Sequence, residues 1–205
     1  MSLGSAFCDE ISTEFVSGSS LEAISLTEAK AHLHVAHSAD DTHIQTLMSA
    51  ATRYAENWTG RRFVTQTWKQ YLSNFPAEPW IELRYPKLQS VTHVKYYDPN
   101  DAQQTMSGGL YTAIVNEFQP GTIDLNSGQS WPTTIAPNKR RVVEIQFICG
   151  FGNESQVPKD VKLGVLQILA HLYENREPIV VGSTPFEIPM SAESFLMPYK
   201  IHYLV

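Results

Sequence analysis

The apolar positions of this chain follow two different periods, and the places where one gives way to the other mark out its elements. Near the start, Leu26, Ala29, Leu33 and Ala36 step by three or four residues, which puts one apolar stripe on a helix over about 26–35. Ser25 precedes it with Glu28 three positions on, the Ser-x-x-Glu pattern in which hydroxyl and carboxylate satisfy free amides of the first turn. A second helix opens at Ser38-Ala39-Asp40-Asp41, where acidic residues meet the positive end of the helix dipole. Ile44, Leu47, Met48, Ala51, Tyr54, Ala55 and Trp58 make its single apolar face, and Gly60 supplies the left-handed residue that ends it.

From Phe63 to Cys149 the period shortens toward two, with β-branched and aromatic residues set between Pro, Gly, Asn and Asp. Strands are predicted at 67–72, 80–85, 91–97, 109–115, 122–125 and 141–149. In the last, Val143, Ile145, Phe147 and Cys149 share one face while Glu144 and Gln146 take the other. Turn chemistry separates them at Asp98-Pro99-Asn100-Asp101, Gly108-Gly109 and Asn126-Ser127-Gly128. After Gly150-Phe151-Gly152 the helical period returns, with Pro158 at the first turn, where a missing amide does no harm. Val161, Val165, Leu166, Ile168, Leu169, Leu172 and Tyr173 make this third helix apolar around much of its circumference, so it needs cover on more than one side. Glu174-Asn175-Arg176-Glu177-Pro178 closes it, the proline preventing continuation.

These elements predict an α+β protein. Two N-terminal helices and a C-terminal helix, 24–62 and 153–178, form a helical bundle core, and a β-rich insertion, 63–152, forms its own small layer. Residues 1–23, with the Gly/Ser-rich Ser17 to Ser20, read as a flexible lead-in. Residues 179–205, which hold Pro185, Pro189 and Pro198, read as a C-terminal arm with a short helix from Ser191 to Leu196.

Composition narrows the chemistry. The chain has 42% hydrophobic and 18% charged residues, ordinary for a folded domain and far from the signature of disorder. No apolar run approaches the ~20 residues of a membrane span, and no basic stretch followed by an apolar core opens the chain, which predicts a cytosolic protein where it is made. The two cysteines, Cys8 and Cys149, fit neither a disulfide framework nor a zinc site. A net charge of −6 gives no overall basic field for holding phosphates.

Three groups of residues invite a sharper reading. His32, His34, His37 and His43 lie close to Asp40 and Asp41, which raises a metal-dependent enzyme. Yet His32 and His34 point to different sides of a helix, and no His-x-x-x-His pair puts two imidazoles on one face. Arg61-Arg62 and Lys139-Arg140-Arg141 raise a DNA-packaging accessory that binds duplex directly. Gly150-Phe151-Gly152 lacks the third glycine and immediate helix of a nucleotide-binding turn and reads as a chain reversal. No nucleophile elbow, Gly-rich phosphate loop or His-Glu-x-x-His is present, so no catalytic, metal or cofactor residue is assigned.

With the elements in this order, the chain resembles the bacteriophage head-tail connector family, also called head-completion adaptors, in its longer members with a β-rich insertion. Ser25 to Leu33 and Asp40 to Gly60, ending in Trp58-Thr59-Gly60-Arg61, resemble the family's N-terminal helix pair. Cys149-Gly150-Phe151-Gly152 with Val157-Pro158, and His171-Leu172-Tyr173-Glu174-Asn175-Arg176-Glu177, resemble the stretch that enters and closes its third helix. Leu196-Met197-Pro198-Tyr199-Lys200 is similar to its closing Leu-x-Pro-Tyr-Arg, with lysine in place of arginine. The resemblance implies a structural subunit of a phage or prophage, twelvefold in a ring with itself, that joins portal to a tail-side adaptor and lets DNA pass without specific binding. It would reside at the head-tail junction of the virion, and in host cytoplasm before assembly. The motif residues Trp58, Gly60, Arg61, Gly150, Gly152, Pro158, Tyr173, Glu174, Asn175, Arg176, Glu177, Pro198 and Tyr199 become the assembly candidates, with the third helix and the arm as the expected ring-forming patches.

Overall fold

The structure, a computed structural model, describes residues 10–18, 22–137, 139–175 and 189–201. These fall into two compact units, one made of residues 10–18 and 65–150 and the other of 22–64 and 151–201. Four α-helices and eight strands are present among the described residues.

In the helical unit, α1 (Leu26–Leu33) and α2 (Asp41–Thr59) precede α3 (Lys159–Glu174) and α4 (Met190–Leu196). The capping box forms as its residues dictate: the Glu28 amide donates to Ser25 Oγ at 3.2 Å, and the Ser25 amide donates to Glu28 Oε2 at 2.9 Å. The apolar face of α2, with Ile44, Met48, Ala51 and Ala55, joins Val161, Val165, Ile168 and Leu169 of α3 in one core. Ala192 and Leu196 of α4 complete it. Each large side chain taken fully out of water contributes about 1.5–3 kcal/mol. Helix α4 approaches closely because Gly164 has no side chain: a Cβ there would lie 2.8 Å from Leu196 Cγ. The most apolar surface of α3 is thus consumed inside the unit, while Leu163, Leu166 and Leu172 stay partly exposed.

The β unit holds two antiparallel sheets. In the first the order is β1-β2-β8-β4-β5, and in the second β3-β7-β6. Their ranges are β1 Glu10–Gly18, β2 Gln66–Leu72, β3 Trp80–Glu82, β4 Leu88–Tyr97, β5 Gln103–Thr105, β6 Tyr111–Ile114, β7 Thr122–Leu125 and β8 Val143–Cys149. Strand β8 is central and buries alternate residues, Val143, Ile145, Phe147 and Cys149, as its period of two requires. Leu72, Ile81, Leu88 and Ile123 pack with them.

Two strands depart from the expected organisation. β1 runs through the segment read as a flexible lead-in and pairs along β2 from Glu10 to Gly18. Its stability comes from that ladder, and its polar composition gives little sign of it. β5, all exposed and polar, pairs with the end of β4 at Tyr97 to Lys95. The β unit is therefore more than an insertion, since its first strand precedes the helices. Residues 1–9, 19–21 and 176–188, including much of the expected arm, lie outside the described residues, while the arm's helix lies within them at α4. Among the described residues, no helix is long and apolar enough to cross a membrane.

Candidate functional site

Helix α2 ends where several motif residues meet. Gly60 takes a left-handed φ of 71°, and its amide bonds back to Glu56 O, so the helix stops and the chain turns inward. Arg61 is consequently only 1% exposed, and its Nε donates to the Tyr199 carbonyl at 2.5 Å. A buried guanidinium costs several kcal/mol unless it is hydrogen-bonded, and a main-chain carbonyl from the chain's far end meets part of that need. Next to it, the Phe63 amide donates to Glu56 Oε1 at 2.7 Å, and Glu56 Oε2 lies 3.7 Å from Arg62 Nη1.

The C-terminal segment closes over this corner. Met197–Tyr199 form one turn of 3-10 helix, after which the Ile201 amide donates to Thr59 O at 2.8 Å. The Lys200 ammonium sits 4.1 Å from the centre of the Trp58 ring, a cation–π contact. From a third stretch, the Phe151 amide donates to Phe63 O at 3.0 Å. The Phe151 ring lies between Phe63, at 6.5 Å, and Tyr199, edge-on at 6.0 Å. Gly152 bridges Val64 in parallel, with a φ of 136° and no room for a side chain, since a Cβ would fall 2.0 Å from Gln156 Oε1. Trp58, Gly60, Arg61, Gly152 and Tyr199 are thus parts of one clasp, drawn from residues 58–64, 151–152 and 197–201.

The remaining motif residues lie elsewhere. The Tyr173 hydroxyl donates to Asp40 Oδ2 at 2.7 Å, tying the end of α3 to the start of α2. Glu174 closes α3, and Asn175 caps it by donating from Nδ2 to His171 O at 2.8 Å. Pro158 opens the helix, its carbonyl accepting from the Lys162 amide at 3.0 Å. One turn on, Lys162 Nζ reaches Glu28 Oε1 at 2.8 Å. Burial pushes the Glu28 carboxyl up, but the Lys162 ammonium with the Ser25 amide and hydroxyl more than offsets it and holds the group down at about 2. Gly150 belongs to the β unit, where its amide donates to Lys87 O at 2.9 Å. Pro198 is exposed. Arg176 and Glu177 lie outside the described residues.

The basic clusters do not form a free cationic stripe. Arg61 and Arg62 are buried. Lys139 pairs with Asp101 and lies 3.2 Å from the centre of the Tyr97 ring. Arg141 lies 4.5 Å from the Tyr71 ring centre and 3.8 Å from Glu14 Oε2. Burial and the neighbouring Glu14 carboxylate push the Tyr71 phenol up to about 12. Lys139 and Arg140 also border an open cleft of about 440 Å³ with Ser73, Asn74 and Ile135. In the histidine segment, His34 is the left-handed cap of α1, and Asp41 lies 2.6 Å from Lys30 Nζ. Among the described residues, no group of three or more His, Cys, Asp or Glu is placed to hold a metal.

Sequence reasoning missed Glu56, Thr59 and Phe63 as parts of the clasp. A signal existed: Thr52, Glu56 and Thr59 recur at helical spacing beside the apolar stripe of α2, and all three are buried.

Fold and clasp together define a structural class: an α+β chain in which Trp58, Gly60, Arg61, Gly152 and Tyr199 serve the closure of the helical unit. Residues 22–184 match the model of the head completion protein family, and the chain belongs to that family, with a structural head-tail connector role. Three solved chains share its fold. One is from the neck of an empty GTA particle computed with C6 symmetry (TM-score 0.76, 19% identity). The second is from the virion of a native gene transfer agent particle (0.75, 18%), and the third from the neck of a native GTA particle computed with C12 symmetry (0.73, 18%). Each match covers 95% of this chain and 98% of the other. No curated protein matches the chain.

Proposed function

We propose that this chain closes with copies of itself into a twelvefold ring beneath the portal, joins it to a tail-side adaptor, and leaves a passage for DNA at the head-tail junction of a virion. The observation that carries this reading is the family match over 22–184 together with an end-to-end fold correspondence to neck chains of particles computed with C6 and C12 symmetry. Rotational symmetry of that kind is built from head-to-tail contacts, so each copy presents two different, complementary surfaces. The net charge of −6 suits a passage through which a polyanion must move without being held. No chemistry is asked of the subunit, and it waits in host cytoplasm until a filled head presents its portal.

The motif residues act one step back from those contacts. By clasping Tyr199 and Lys200 to the end of α2, Arg61 and Trp58 hold the helical unit of the subunit closed. Electron microscopy of the purified chain mixed with its cognate portal is the test. Twelvefold rings seated on portal are expected, and a monodisperse monomer that never binds portal overturns the proposal. Direct duplex binding is not favoured, since Arg61 and Arg62 are buried and Lys139 and Arg141 already meet acids and rings. No gel shift is expected at low salt.

A further inference from the structure

Two sheets have four edge strands, β1, β5, β3 and β6, and an open edge offers unpaired main-chain groups to any strand that arrives. The four are not alike. Gln70, itself buried, covers the outer edge of β3: its Nε2 donates to Glu82 O at 2.9 Å, and its Oε1 accepts from the Arg84 amide at 3.0 Å. β5 is three polar, exposed residues, too short and too hydrophilic to hold a partner. β1 and β6 are different. Beyond their pairing with β2 and β7, no further main-chain bond is made by either strand among the described residues.

These two edges also carry exposed apolar side chains. Phe15 and Val16 of β1 are 55% and 43% exposed, and Ile114 of β6 and the adjoining Val115 are 39% and 48% exposed. Phe15 ends a row of aromatic rings that runs out from the core, Tyr85 to Trp68 at 4.6 Å and Trp68 to Phe15 at 5.5 Å. Neither edge carries a lysine or proline, the usual guards against a further strand. The lengths match as well. β1 pairs regularly from Ser12 to Phe15 between two irregularities, and β6 is four residues, Tyr111–Ile114.

Their placement decides what could pair with them. Gln70 ties β3 to β2, and β6 lies against β4. β1 therefore lies beyond β2 on one flank of the β unit, and β6 lies on the opposite flank, toward β4. Two unlike open edges on opposite flanks are what a head-to-tail ring of identical copies requires, and a two-fold dimer has no use for the difference.

We propose that β1 of one copy pairs with β6 of the next, so that the ring closes by strand addition between β units, with Phe15 and Val16 covered by Ile114 and Val115. This rests on the ring reading given above and names its contact surface.

The test is assembly on portal, scored by electron microscopy and native mass spectrometry, for wild type and for Val16→Lys and Val115→Lys. Each lysine is expected to lower the ring population roughly tenfold or more while leaving the far-UV spectrum and melting of the free chain unchanged. A second measurement is independent of stability. In a Cys8→Ser background, Val16→Cys with Val115→Cys should give a ladder of disulfide-linked multimers under oxidant, and either cysteine alone should not, Cys149 being buried. If wild type forms rings and both lysine variants form them equally well with no ladder, the edge pairing is overturned and the ring reading stands. If wild type forms no ring on portal, the ring reading falls and this inference with it.

Discussion

The helical unit turns its charged and aromatic motif residues inward, whereas the β unit leaves apolar side chains at two open strand edges. In the first, Arg61 is buried against Tyr199 and Trp58 is covered by Lys200. In the second, Phe15, Val16, Ile114 and Val115 face water. Trp58, Gly60, Arg61, Gly152 and Tyr199 therefore hold one fold shut, Glu174, Asn175 and Pro198 of the same motifs are exposed, and the two open edges carry none of these motif residues. Substitutions should separate the two roles: motif changes act on stability, and edge changes act on association.

Arg61→Ala should have the largest effect on stability, about 3 kcal/mol in urea unfolding followed by far-UV circular dichroism, because it empties a buried site and takes the charged donor from the Tyr199 carbonyl. Arg61→Lys should recover only part, since an ammonium lacks the rigid fork that reaches the Tyr199 carbonyl. Gly164→Val comes next at about 2 kcal/mol, by driving α4 off α3 where Leu196 Cγ leaves no space. Retention of wild-type stability by either variant would break the contrast drawn here.

Glu28→Gln should cost about 1 kcal/mol at neutral pH through the weakened capping box. Its pH dependence carries a sign. Glu28 is held near 2 in the folded chain against 4.5 for the free group, so its contribution is complete above about 4.5 and is lost as pH falls toward 2. The wild-type stability curve should drop across that window more steeply than the curve of Glu28→Gln. Smaller again, Lys200→Leu should cost about 0.5–1 kcal/mol from the lost Trp58 contact. Val16→Lys should change the stability of the free chain by under about 0.5 kcal/mol, the least of the series, despite its expected effect on rings.

Much of the helical unit was legible because its apolar residues keep strict helical spacing: Ile44, Met48, Ala51 and Ala55 are all in the core. The capping box at Ser25 and Glu28 and the stop at Gly60 were equally direct, since each is a local bond pattern written within four residues. The strands around Val143 to Cys149 were visible for the corresponding reason in period two. What was hidden depends on distant partners. β1 is polar at Glu10, Ser12, Thr13 and Glu14, and it is a strand only because β2 lies beside it. β5 is held by three residues of β4. The clasp was half legible: its residues were named as motifs, but nothing local tells that Arg61 meets a carbonyl 138 positions away.

The crossing pattern of the backbone has a practical outcome for anyone wishing to dissect the molecule. The chain passes from one unit to the other three times, after residue 18, after 64 and after 150. A fragment spanning only 65–150 loses the outer strand of its larger sheet and bares β2, a seven-residue strand that pairs with β8 without a register shift. A faithful excision must graft 10–18 onto that fragment by circular permutation, and one that omits the graft invites aggregation instead of a soluble module.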